Sequence, residues 1–86
     1  SSRYGEIDLI FKDVKNGEML VFVEVKYRKS DFFGSAIEMV TQEKQNRILA
    51  SSQVYLLKKN WDRNVRYDVV GVSKDSGNIE WLKNAF

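Results

Sequence analysis

The chain contains no histidine, no cysteine and no proline. Without cysteine there is no disulfide framework, zinc ribbon, thiol nucleophile or redox centre. Without histidine there is no Ser-His-Asp triad and no histidine-ligated zinc. Acids, bases and metal ligands must therefore come from Asp, Glu, Lys, Tyr or water. Long apolar runs are missing too. Stretches such as Met19 to Val23 fall far short of the roughly 20 residues that span a bilayer. The opening Ser1-Ser2-Arg3 carries no basic-then-apolar signal segment. A soluble, cytoplasmic protein is expected.

What is present suits one small domain. The 86 residues are 43 % apolar and 30 % charged, enough for one core and too apolar for disorder. The chain starts so close to a strand-like segment that an N-terminally truncated fragment is expected.

Periodicity supplies the elements. Glu6 to Asp13 alternates, with Ile7, Leu9 and Phe11 on one face and Glu6, Asp8 and Ile10 on the other. Met19 to Tyr27 is longer and more β-branched, as for a central strand covered on both faces. Asn16-Gly17 between them is a hairpin signal, so the two strands should pair antiparallel. Arg28 to Val40 reads as a loop punctuated by Gly34, and Thr41 as a helix N-cap. The helix is expected from Gln42 to about Lys59, burying Gln45, Ile48, Leu49, Ser52, Tyr55 and Leu56. Strands over Arg66–Ser73 and Asn78–Leu82 flank a turn at Lys74-Asp75-Ser76-Gly77. The predicted order is β-β-α-β-β, an α/β domain with a mixed sheet and one long helix.

The same alternation sorts the charges. Glu6 and Asp8 should point one way, while Glu24 and Lys26 share a face with Leu20 and Phe22. Hairpin pairing would bring three carboxylates and one ammonium together. Such acids repel one another without a cation, and Mg²⁺ or Mn²⁺ is the fitting hard ion. The plainer alternative is a cross-strand ion pair on a half-exposed sheet, with Glu6 a solvated edge residue.

Gly5-Glu6-Ile7-Asp8-Leu9-Ile10 followed by Phe22-Val23-Glu24-Val25-Lys26 resembles the D-(x)n-E-x-K signature of the PD-(D/E)xK nuclease superfamily. The wider pattern is similar to the bacterial YraN family of uncharacterised proteins, related to Holliday-junction resolvases. It takes in Arg3 to Ile10, Val21 to Arg28, Phe33-Gly34-Ser35-Ala36, Val40-Thr41 with Lys44-Gln45, Tyr67-Asp68-Val69-Val70 and Asn84-Ala85-Phe86. The resemblance implies a restriction-endonuclease-like fold. It implies Asp8 and Glu24 as metal-binding acids, Lys26 as the catalytic lysine and Gln45 as an assisting residue. Gln45 reads equally as a surface helix residue, and its neighbour Lys44 could serve instead. Glu6 belongs to the pattern and is carried as a further candidate ligand. The family has a further helix and strand ahead of this segment, with another acid on that helix; nothing here matches them. The implied activity is Mg²⁺- or Mn²⁺-dependent cleavage of DNA phosphodiesters, branched DNA being favoured. The alternative is a catalytically inactive DNA-binding or oligomerisation module of the same fold.

Basic residues concentrate in mid-chain. Lys26 to Arg66 holds nine against four acids, a net of +5 hidden within an overall +2. Arg28, Lys29, Lys44 and Arg47 are the expected phosphate contacts. Tyr55 reads as core packing, and Trp61 and Trp81 as core or rim. No base-reading element stands out, so DNA binding without sequence specificity is expected. The edge of the first strand suggests a homodimer.

Overall fold

The structure, a computed structural model, describes residues 5–15, 17–30 and 36–86. Strands β1 (Leu9–Asp13), β2 (Met19–Arg28), β3 (Val65–Ser73) and β4 (Ile79–Leu82) form one sheet in that spatial order. A short 3-10 helix (Ala36–Met39) and helix α1 (Gln42–Lys58) cross from β2 to β3. β1 is antiparallel to β2, β2 parallel to β3, and β3 antiparallel to β4. The expected β-β-α-β-β order and mixed α/β sheet are borne out.

Local chemistry accounts for the turns. Gly17 and Glu18 both take positive φ, 73° and 58°, between β1 and β2; Asn16 and the Gly34 part of the next loop lie outside the described residues. Thr41 caps α1 by accepting the Lys44 N–H at 3.1 Å. Gly77, at φ 75°, closes the β3–β4 turn by donating to the Ser73 carbonyl at 2.8 Å.

One boundary differs in a way that matters. β1 begins at Leu9 and not at Glu6. Gly5 and Glu6 form a turn and Asp8 a bend. Glu6 and Asp8 therefore do not share a strand face. Ile7 leaves the face of Leu9 and Phe11 and packs instead against the core of Ala36, Val40, Ile48 and Val69.

That core lies between the sheet and the helical layer. Phe22 stacks on Tyr67 at 5.4 Å and meets Tyr55 edge-on at 5.7 Å. Ser52, fully buried, shares a 2.7 Å hydrogen bond with the Tyr67 hydroxyl. Gly71 is required where β3 passes the 3-10 helix, since a Cβ there would lie 2.6 Å from the Ala36 Cβ. On the opposite sheet face, Asp68 is wholly buried. It accepts from Arg66 Nε at 2.8 Å and Nη2 at 2.9 Å, from Trp81 Nε1 at 2.9 Å, and from the Asn84 N–H at 2.9 Å. No described helix is long and apolar enough to cross a membrane.

Candidate functional site

β2 runs through the middle of the sheet and carries Glu24 toward α1, on the same face as Leu20 and Phe22. The residue is 4 % exposed. A carboxylate so buried needs partners, and three residues surround it. Asp8, on the bend before β1, accepts the Val25 N–H at 2.7 Å and sits against the Glu24 carboxyl. Lys26, two residues along β2, places Nζ 3.4 Å from Glu24 Oε2. Lys44, on the first turn of α1, places Nζ 3.9 Å from the same oxygen.

The electrostatics divide the acids. Burial pushes the Glu24 carboxyl above its ordinary value, and Asp8 raises it further; Lys44 and Lys26 only partly oppose this. Glu6 moves the other way, held down by hydrogen bonds from Lys44 and then Arg47. Its Oε1 is 2.8 Å from Lys44 Nζ and 3.2 Å from Arg47 Nε. Asp8 and Glu24 thus form a self-repelling pair that a cation would relieve, whereas Glu6 is already neutralised. Two adjacent carboxylates are oxygen donors of the kind a hard divalent ion such as Mg²⁺ takes, although Lys26 and Lys44 already lie within 4 Å of Glu24 Oε2. Among the described residues no group of three acids is placed to hold one metal.

Several expectations change. Glu6 faces Lys44 and Arg47, because the Gly5-Glu6 turn carries it away from the strand. Gln45 makes no hydrogen bond to Asp8 or Glu24; its Nε2 donates to the Val40 carbonyl at 3.1 Å. Lys44 is the helix residue that reaches Glu24. Arg28 is no exposed phosphate contact: its side chain is 11 % exposed, with Nη2 3.4 Å from Glu80 Oε1. Lys29 is exposed. Arg47 is shared between Glu6 and Glu43, and Arg66 is taken up by Asp68 and Asp13. Spatial pairing therefore removes much of the +5 counted along the chain.

Glu80 was not foreseen. It accepts the Ala36 N–H at 2.7 Å and pairs with Arg28, tying β4 to the start of the helical layer. Nothing in its local sequence marks this role. Arg66 and Asp68 had a signal: opposite charges two residues apart in an apolar strand point to the same face.

Comparison with known proteins places these residues in a wider set. A family model described as "Uncharacterised protein family UPF0102" matches residues 1–72. A UPF0102 protein of Vibrio campbellii is 44 % identical over 87 aligned residues, covering 98 % of this chain and 69 % of the relative. One of Nitrosococcus oceani is 47 % identical, covering 98 % and 68 %. One of Hahella chejuensis is 48 % identical, covering 95 % and 65 %.

Proposed function

This chain belongs to the uncharacterised protein family UPF0102, the family seen above as YraN, and from its site we propose a metal-dependent, endonuclease-like domain acting on DNA phosphodiesters. The observation that carries this reading is Glu24, nearly buried, with Asp8 against its carboxyl and two lysines within 4 Å. A buried ion pair on its own stabilises little, because desolvation offsets the attraction. Here a second acid is held at the first by the Val25 N–H.

Asp8 and Glu24 would hold the ion. When bound, it supplies Lewis-acid polarisation of a phosphate oxygen and acidification of water. Lys26 faces the same space and would stabilise charge developing on the phosphate. Lys44 lies between Glu6 and Glu24 and adds positive potential beside the carboxylate pair. Lys29 and Arg47 would contact flanking phosphates, which carry no sequence information. A restriction-endonuclease-like fold belongs to the same proposal. Its support is the mixed sheet whose parallel central pair is bridged by α1. Branched DNA is the substrate proposed by analogy.

The absence of a third acid among the described residues favours a second reading, an inactive DNA-binding module of the same fold. The test has two parts. Mg²⁺ or Mn²⁺ should raise Tm in the wild type and leave Asp8→Asn unmoved; no rise in folded wild type overturns the metal site. Cleavage of a four-way junction should fall about 10²–10³-fold in Lys26→Ala. A metal response without cleavage would favour the inactive module.

A further inference from the structure

We propose that the cavity between the last turn of α1 and strand β1 is a subsite for an unpaired nucleotide of the nucleic-acid substrate. It takes the base against Trp61 and Tyr55 and the phosphate between Lys12 and Lys59. This deepens the reading above and rests on it for the identity of the substrate.

The cavity measures about 280 Å³ and is lined by Lys12, Leu20, Tyr55, Lys59 and Trp61. Its two rings are held in place. Trp61 donates Nε1–H to the Asn64 carbonyl at 3.0 Å and its backbone N–H to Leu56 at 3.0 Å. Tyr55 is braced edge-on by Phe22. The two ammonium groups lie over ring faces, Lys12 5.7 Å from the Trp61 centroid and Lys59 5.7 Å from the Tyr55 centroid. Neither lysine forms a salt bridge among the described residues. Each ammonium is met by a ring face and by no carboxylate among the described residues, so a phosphate can draw both lysines while a base takes the ring faces they cover. A planar base carrying a phosphate engages both, as on the stacking platforms that bind single strands.

Position supports the same occupant. Asp8 of the carboxylate pair and Lys12 of the cavity, both exposed, lie four residues apart along the chain, a span of about 13 Å when extended. A stacked strand at about 3.4 Å per nucleotide spans that distance in about four steps. Helix α1 lies beside both places, with Lys44 reaching Glu24 from its first turn and Tyr55 and Lys59 lining the cavity at its other end. A strand whose phosphodiester lies at Asp8 and Glu24 would therefore place an unpaired base here. That requires substrate that is single-stranded beside the scissile bond.

The test is binding of a fluorescent five-residue oligothymidylate, without divalent metal, read by anisotropy and by Trp61 emission. Trp61→Ala should weaken binding about tenfold, and Trp61→Phe should retain most of it. The Lys12→Ala/Lys59→Ala double variant should bind more weakly and lose about one to two counterions from the salt slope. Thermal melts confirm that each variant is folded, and the lysine pair tests the subsite even if Trp61→Ala is not. Oligonucleotide binding that is absent in wild type, or unchanged in Trp61→Phe, Trp61→Ala and the lysine pair alike, overturns the subsite. The metal-induced rise in Tm and junction cleavage report on the carboxylate site separately. Trp61-dependent binding without any metal response would support the subsite and overturn the nuclease reading.

Discussion

Asp8 accepts the backbone N–H of Val25 at 2.7 Å, immediately past Glu24. A side chain here does the work of a ladder bond, because β1 pairs with β2 only as far as Leu9 opposite Val23. The chain leaves the sheet and its carboxylate stays behind. Asp8→Asn keeps an acceptor for Val25 and should change stability little. Asp8→Ala should lose about 1 kcal/mol as well. Both should abolish the Tm rise with Mg²⁺, as urea and thermal unfolding with and without metal would show.

Glu24 predicts an unusual pH dependence. Its folded carboxyl titrates above the ordinary value of 4.5. Between those two values the folded state holds a proton that the unfolded chain has lost. Stability of the metal-free protein should therefore fall as pH rises through this window, then level off. Asp68 acts oppositely. Burial pushes its carboxyl up, but Arg66, the Asn84 N–H and Trp81 together outweigh that, leaving it below 3.8. Its contribution is present above 3.8 and is lost as pH falls through the lower folded value. Glu24→Gln should remove the falling limb, raise the metal-free Tm and abolish the metal response. Melts across this pH range check all three.

Glu6→Gln separates two roles for one residue. As a metal ligand, its loss would weaken the metal response. As the partner of Lys44 and Arg47, its loss removes one negative charge shared by two cations beside the site, which keep only Glu24 and Glu43. The structure predicts an unchanged metal-induced Tm rise, tighter DNA binding and a salt slope steeper by about one to two ions. Anisotropy at several salt concentrations measures it.

The buried Arg66–Asp68 pair is structural. Asp68→Ala leaves a guanidinium that is 8 % exposed with only Asp13 opposite, 3.3 Å away. Breaking such a pair costs about 3–5 kcal/mol, a large share of the total for a small domain. Urea unfolding should show the variant close to unfolded in buffer.

Gly71→Ala should cost about 1–3 kcal/mol, because its Cβ would meet the Ala36 Cβ at 2.6 Å. Adding Ala36→Gly should recover much of the loss, since the two residues share the space. A double-mutant cycle in urea measures the coupling.

Secondary structure was largely legible in local patterns. The Thr41 cap, the apolar stripe around Ile48 and Ser52, and the alternation of β2 each express a period of a single element. The site was legible only as a set of candidates. Asp8, Glu24 and Lys26 could be named from their residue types, but β1 starting three residues late decided that Glu6 would face Lys44. Tyr55 and Trp61 read as core and rim residues, and the cavity between them and two lysines exists only once α1 lies over β1 and β2.

The absence of histidine and cysteine determined by itself that any metal here would meet oxygen ligands, since composition restricts chemistry whatever the fold. Which oxygens those are, and which of the mid-chain cations stay unpaired, only the tertiary structure decided. Charge pairing depends on distances of 3 to 4 Å, and residues as far apart in the chain as Glu6 and Lys44 acquire such distances only by folding.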